Sequence, residues 1–237
     1  MNNNHKVLNQ DAIKYIAMVA MFVGHYGMMH LTEGTPQFDV CLSVGCFAAP
    51  VMCYFCVEGY HYTHSILAYA VRLLTCGLVA MLCGADTANI MITLLICLGC
   101  LYVRNNCKNN TVKIITLVAL VVLTVVMRCD WSLSAPVLCI MLDKYKDSKI
   151  GTICSFGVMY AWLVLFNTAK DFWLNGDVFT PFEIWSYALA TNIAVMVTAF
   201  TIVFLYNGKR AEKHREINKW IFYLFYPVHF LILKIFA

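Results

Sequence analysis

The sequence predicts an all-α protein built as a polytopic transmembrane helical bundle. Hydrophobic residues make up 61% of its 237 residues and charged residues only 13%, and the mean hydropathy is +0.71. Soluble domains carry about a quarter charged residues, so this chain has too little charge to cover a water-soluble globule. The composition therefore excludes an ordinary soluble domain and a disordered chain, and it favours a multi-pass membrane protein.

A membrane helix needs about 20 mostly apolar residues, and nine segments approach that length. They lie at roughly 12–31, 38–60, 65–84, 87–104, 111–127, 131–143, 150–168, 184–206 and 218–236. The sixth is short and contains Pro136, which suits a re-entrant or half-buried segment as well as a short span. The prediction is a single domain, 1–237, with about nine spans.

The charges in the links between these segments predict the orientation. Positive residues collect in the links at 104–113, 144–149 and 209–219 and beside the first span, at Lys6 and Lys14. The alternate links carry acidic residues, namely Glu33, Asp39, Asp86, Asp171, Asp177 and Glu183. Because Lys and Arg collect on the cytoplasmic side, the N-terminus is predicted to be cytoplasmic. Positive charge confined to short links does not indicate a nucleic-acid surface.

The twelve cysteines are scattered through apolar segments and do not suggest a disulfide framework. Cys53-x-x-Cys56 and Cys97-x-x-Cys100 have a spacing seen among metal ligands, but both pairs lie inside predicted spans. A thiol in that setting behaves as a small packing residue. No metal site is predicted.

Ionisable side chains inside membrane spans are costly, so each one is a functional candidate. His25 lies in the first span, Glu58 in the second, Arg72 in the third and His229 in the last. Glu58 and Arg72 are unlike charges at similar depth on neighbouring spans, which favours an ion pair. Each histidine also has a purely structural interpretation as a hydrogen bond between helices.

Three chemistries suit these residues: proton-coupled transport, metal binding and acyl transfer with a histidine as general base. Metal binding is disfavoured because no His, Asp and Glu cluster has ligand spacing. Transport is somewhat disfavoured because the chain is small and shows no symmetric pair of broken helices. The residues alone leave transport and transfer open.

Several motifs narrow the choice through a resemblance to a known family. They are DAIKYIAMVAMFVGHYG at 11–27, GCFAAPVMCYFCVEGYHYTH at 45–64, Tyr69 with Arg72-Leu73, NIMITL at 89–94, YNGKR at 206–210 and FYLFYPVHFLIL at 222–233. Over nearly the whole chain the sequence resembles the TraX family, membrane proteins named after a conjugative-plasmid enzyme that acetylates the N-terminus of pilin. Two positions depart from the family pattern, because Gly24 replaces an aspartate before the histidine and Cys46 replaces an arginine.

The resemblance implies an acetyl-CoA-dependent acyltransferase of the inner or plasma membrane. The acceptor would be the N-terminal amine of a peptide or pilin-like protein, or a hydroxyl of a surface molecule. His25 is expected to act as general base, with His229 as its partner or as a stabiliser of the thioester oxyanion, while Glu58 and Arg72 hold the site together. The residues expected to bind acetyl-CoA or the acceptor are Asn89, Asn207, Lys209, Arg210, Tyr226 and His61.

The departures at Gly24 and Cys46 keep a second class of function open. Either change could alter the substrate or remove catalysis. The alternative is a non-catalytic membrane protein, either a transporter or an assembly factor for secretion or conjugation.

Overall fold

The computed structural model describes residues 7–85, 88–175, 180–210 and 215–236. All regular elements in these ranges are helices, and one isolated bridge pairs Leu8 with Tyr206 in parallel. The predicted all-α class is therefore confirmed for the described residues. Lys6, Asp86 and Asp177, which served the orientation argument, lie outside them, as does the 211–214 part of the charged link.

The helices follow the chain in the order of the predicted segments. Their bounds are α1 Gln10–His30, α2 Pro36–Gly45, α3 Ala48–Tyr62, α4 Ile66–Leu82, α5 Ile90–Asn106, α6 Asn110–Val126, α7 Ser134–Lys144, α8 Lys149–Asn175, α9 Pro181–Phe200 and α10 Arg215–Ile235, with a π-helical turn, Thr201–Leu205, extending α9.

Short polar side chains start several of these helices. The first amides of a helix have no partner within it, and a preceding Asn, Ser or Thr can accept their hydrogen bonds. Asn9 caps α1 in this way and Ser65 caps α4. At α9, Thr180 and Glu183 form a reciprocal capping box ahead of Pro181. These polar residues set where each apolar segment becomes helical.

Two predicted spans differ from the observed helices. The segment predicted at 38–60 is divided into α2 and α3, because the helix stops at Gly45 and resumes at Ala48. The segment predicted at 131–143 becomes α7, an 11-residue helix. Such a helix is about 16 Å long at 1.5 Å per residue, roughly half the hydrocarbon thickness of a bilayer.

Within the described residues, four helical segments are long and apolar enough to cross a membrane. They are Gln10–His30, Pro36–Tyr62, Lys149–Leu174 and Pro181–Leu205. Three shorter apolar helices, Ile66–Leu82, Ile90–Asn106 and Asn110–Val126, accompany them. The chain is thus a membrane protein by fold, while the count of nine spans and the cytoplasmic N-terminus stay predictions.

Helix α1 crosses α2 with almost no space between the two backbones. A β-carbon placed on Gly24 would lie 2.7 Å from the α-carbon of Gly45, and one on Gly27 would lie 2.5 Å from the β-carbon of Cys41. Small residues let helices in a membrane approach closely. This contact explains Gly24 physically: in this chain an aspartate would not fit at that position.

We expect Gly24→Ala to destabilise the protein and Gly157→Ala to leave it as stable or slightly more stable. The added methyl at Gly24 meets backbone that cannot give way, and overpacking of this kind costs about 1–3 kcal/mol. Gly157 lies within α8 with no atom within 4 Å of the added carbon, and removing a helical glycine gains about 0.4–1 kcal/mol. Melting temperatures of the two purified variants in detergent test this, and equal values would contradict it.

Candidate active site

A cationic cavity of about 420 Å³ lies among α1, α3, α4 and α10; we call it the donor cavity. Five of its lining residues are basic: Lys14, His64, Arg72, Arg210 and Lys219. Asp11 lines it as well. Basic groups therefore outnumber acidic ones along this wall, which suits an anionic ligand.

Two of these cations are held against aromatic rings. The ammonium of Lys14 lies 5.2 Å from the ring centre of Phe55 and 5.1 Å from that of Phe222. The guanidinium of Arg210 lies 5.3 Å from the ring centre of Tyr62. Rings partly compensate a cation without neutralising it. Both groups line the donor cavity, where a ligand can contact them.

Arg72 also lies against aromatic rings. Its guanidinium lies 5.7 Å from the ring centre of Tyr69 and 6.0 Å from that of Tyr223. Its Nε atom is buried and has no hydrogen-bond partner among the described residues. A buried donor left unpaired costs about 1–3 kcal/mol, so an anionic ligand that accepted this hydrogen bond would gain from it.

His25 and His229 join the first helix to the last. The distance from Nδ1 of His25 to Nε2 of His229 is 2.9 Å, and Nδ1 of His229 lies 3.1 Å from the carbonyl oxygen of Phe225. His229 is 1% exposed, while His25 is half-buried. The two rings also stack, with centres 5.0 Å apart.

These contacts fix the protons of the pair. A carbonyl only accepts, so Nδ1 of His229 carries the proton and donates to Phe225. In a neutral imidazole the other nitrogen is then an acceptor, so Nδ1 of His25 donates to His229. Nε2 of His25 is left as an unprotonated nitrogen, which is what a general base requires.

A second cavity of about 190 Å³ lies on the His25 side of α1; we call it the acceptor cavity. His25, Gly24 and Gly45 form one wall, and Asp130 with Trp131 forms another. Among the described residues that line it, Asp130 alone carries a formal charge, so this cavity differs in charge from the donor cavity.

The turn that carries Asp130 is strained and firmly held. Arg128 and Trp131 adopt φ angles of 52° and 54°, which non-glycine residues rarely do. The amide of Asp130 donates to the carbonyl of Ala88 at 2.9 Å, and its carbonyl accepts from the hydroxyl of Thr93 at 2.8 Å. Strain of this kind persists where surrounding contacts enforce it, often beside functional sites.

Glu58 and Arg72 do not form the predicted ion pair. A carboxylate oxygen of Glu58 accepts a hydrogen bond of 2.9 Å from the hydroxyl of Tyr206, and Arg72 faces the donor cavity instead. Tyr206 lies beside Leu8, which pairs with it across the isolated bridge. Glu58 therefore anchors the 206–210 segment to α3.

That segment contains Asn207, Lys209 and Arg210, and it brings Arg210 to the wall of the donor cavity. The side chain of Asn207 accepts from the amide of Lys209 at 2.8 Å, and the carbonyl of Lys209 accepts from the amide of Gln10 at 2.9 Å. Arg210 lines the cavity, whereas Asn207 and Lys209 do not. Asn207 shapes the turn that presents Arg210.

Asn89 and His61 hold helices together outside both cavities. Asn89 is buried, donates to the carbonyl of Gly77 at 3.1 Å and caps α5. His61 Nε2 lies 2.6 Å from a carboxylate oxygen of Asp143, whose other oxygen accepts from Arg104 Nε at 2.6 Å. The Asp143 side chain is 2% exposed, so this network ties α3, α5 and α7 together.

The structure thus divides the predicted site residues into two groups. His25, Arg72, Arg210 and Tyr226 line a cavity, with His229 directly behind His25. The second group lines neither cavity and supports the surrounding helices and turns; it consists of Glu58, Asn89, Asn207, Lys209 and His61. Lining residues that sequence reasoning missed as site residues include Lys14, His64, Lys219 and Asp130. Lys14 could have been recognised from the sequence, because it lies within the family motif at 11–27.

The fold and the site define a helical membrane protein with a paired histidine beside one of two adjacent cavities that differ in charge. The profile of the TraX protein family matches residues 9–237, and the chain belongs to this family. One relative is the "Probable fimbrial assembly protein FimC, serogroup H1" of Dichelobacter nodosus. It is 26% identical over 239 aligned residues, covering 93% of this chain and 92% of the relative. No solved structure matches the chain.

Replacing Asp143 tests the structural role given to His61. Asp143→Asn removes the charge that Arg104 and His61 share, and breaking a buried pair from one side costs about 3–5 kcal/mol. We expect a clear loss of thermal stability in detergent. The matched control is Asp147→Asn, since Asp147 is exposed in the next turn of the chain, and it should melt like the wild type. If the wild type and both variants had the same melting temperature, the Asp143 network would not stabilise the protein.

Proposed function

We propose that the protein is an acetyltransferase of the inner or plasma membrane. It transfers the acetyl group of acetyl-CoA to the N-terminal amine of a peptide or pilin-like protein, or to a hydroxyl of a surface molecule. One observation carries this proposal. His25 has an unprotonated Nε2 fixed by His229, and together with Asp130 it lines a cavity that shares two lining residues with the cationic cavity.

The donor cavity supports acetyl-CoA as the donor. Lys and Arg pair readily with phosphate oxygens, and CoA carries phosphates on a long, thin pantetheine arm. Lys14, Arg72, Arg210 and Lys219 supply the cations. Under the predicted orientation these residues lie toward the cytoplasm, where acetyl-CoA is made. Apolar side chains such as Met18, Met21 and Leu94 also line the cavity and suit the arm.

The reaction then needs one proton transfer at His25. As the acceptor nitrogen or oxygen attacks the thioester carbonyl carbon, Nε2 of His25 takes its proton. The carbon–sulfur bond breaks, and the CoA thiolate recovers that proton from His25 and leaves as the free thiol. His229 accepts the hydrogen bond from Nδ1 throughout, which orients the ring and stabilises its transient positive charge.

The competing proposal is an assembly factor without catalysis. Its support is the name of the Dichelobacter nodosus relative, which is called an assembly protein. The two proposals differ in ligand. Binding of acetyl-CoA to the folded, purified protein favours the enzyme, and no binding at millimolar acetyl-CoA favours the assembly factor. Mass spectrometry of pilins and surface polymers, from cells with and without the protein, then identifies any acetylated acceptor.

Replacing His25 tests the assignment of the base. We expect His25→Gln to lower acetyl transfer by about 10²- to 10⁴-fold, which is the usual contribution of a general base. His30→Gln is the matched control, because His30 ends the same helix and lines neither cavity. His229→Gln keeps an acceptor for Nδ1 of His25 and should retain more activity than His229→Ala. Full activity of His25→Gln, with normal folding, would exclude His25 as the base.

Replacing Arg72 tests the donor cavity. Arg72→Gln should raise the Kd for acetyl-CoA about tenfold, because a charge-assisted hydrogen bond to phosphate is worth roughly 1.5 kcal/mol or more. Lys146→Gln is the control, since Lys146 is exposed on a neighbouring link away from the cavity. Calorimetric titration with acetyl-CoA measures both. An unchanged Kd in Arg72→Gln would remove Arg72 from the donor site.

A further inference from the structure

The donor and acceptor cavities share two lining residues. Of the described side chains, Met21 on α1 and Met52 on α3 line both cavities. Met21 precedes His25 by four residues in the same helix, so the two side chains share one face of α1. Any group that passes from the donor cavity to His25 therefore meets these two methionines first.

The wall of the donor cavity is rich in methionine. Met18, Met21, Met52 and Met91 all line it, and three of them are buried at 6–7% exposure, namely Met18, Met21 and Met91. Methionine has three rotatable bonds and a polarisable sulfur, so it fills irregular space in a packed interior. Such a surface suits a small apolar group at the end of a thin arm.

We propose that Met21 and Met52 form the passage between the two cavities and set the largest acyl group that reaches His25. This inference rests on the proposed function and adds its size limit. An acetyl group extends one carbon beyond the thioester carbonyl and fits between the two thioethers. A longer chain has to displace them into the packed contact between α1 and α3, which interiors resist.

Shortening either methionine should widen the passage. In Met21→Ala and Met52→Ala, the space released can bury additional methylenes of the acyl chain. Each buried methylene contributes about 0.8 kcal/mol, which corresponds to about a fourfold gain in affinity. The preference for hexanoyl-CoA over acetyl-CoA should therefore rise by roughly tenfold or more relative to the wild type. A variant that was merely less stable would bind both acyl-CoAs more weakly, and this ratio would not rise.

Two matched variants separate the passage from the cavity walls. Met18→Ala changes a residue that lines the donor cavity alone, and Met28→Ala changes one that lines the acceptor cavity alone. The Kd values for acetyl-, butyryl- and hexanoyl-CoA are measured by calorimetry for the wild type and all four variants in detergent. This design needs no knowledge of the acceptor.

The outcomes separate the two proposals. A raised hexanoyl-to-acetyl ratio in Met21→Ala and Met52→Ala, with wild-type ratios in both controls, supports the passage. Binding of acetyl-CoA with the same chain-length profile in all five proteins overturns the passage and leaves the proposed function standing. An equal rise in Met18→Ala also overturns it, because the size limit would then belong to the donor cavity as a whole. No binding of any acyl-CoA to the folded wild type overturns the proposed function and the inference together.

Discussion

The contact between His25 and His229 is the interaction on which the candidate site depends. It joins helices α1 and α10, whose two residues are 204 positions apart, and it adds a directional bond to the packing between them. Because the carbonyl of Phe225 fixes the proton on His229, a backbone group of α10 determines which nitrogen of His25 is basic. The same two helices supply much of the donor cavity wall, so the histidine pair and the donor cavity share one framework.

The charged side chains inside this protein have two different kinds of surroundings. Asp143 has three side-chain partners, His61, Arg104 and Asn105, and is almost fully buried, which is the usual arrangement for a structural ion pair. Lys14, Arg72 and Arg210 instead lie against aromatic rings. Ring contacts stabilise a cation in a poorly hydrated place and leave its hydrogen-bond donors available. This contrast separates the groups that hold helices together from those that line the donor cavity.

The sequence predicted the helices well because apolar length is a local property. It also singled out His25, Arg72 and His229, since ionisable groups in apolar segments are costly. Partners were harder to predict, because they depend on helix rotation. Glu58 and Arg72 have similar depth, yet Glu58 turns toward Tyr206. Lys14 was interpreted as a marker of orientation, and its position between Phe55 and Phe222 exists only after α1, α3 and α10 have packed.

Gly24 and the 128–131 turn shape the acceptor cavity beside His25. The crossing at Gly24 and Gly45 brings α1 against the α2–α3 break, and the helix there stops at Gly45 and resumes at Ala48. The break leaves space for the acceptor cavity beside His25, and the strained turn closes that space with Asp130. A β-carbon at Gly24 would push α1 outward and move His25 away from this turn. The position next to the histidine is therefore occupied by glycine for a steric reason, and the carboxylate in the acceptor cavity comes from a different part of the chain.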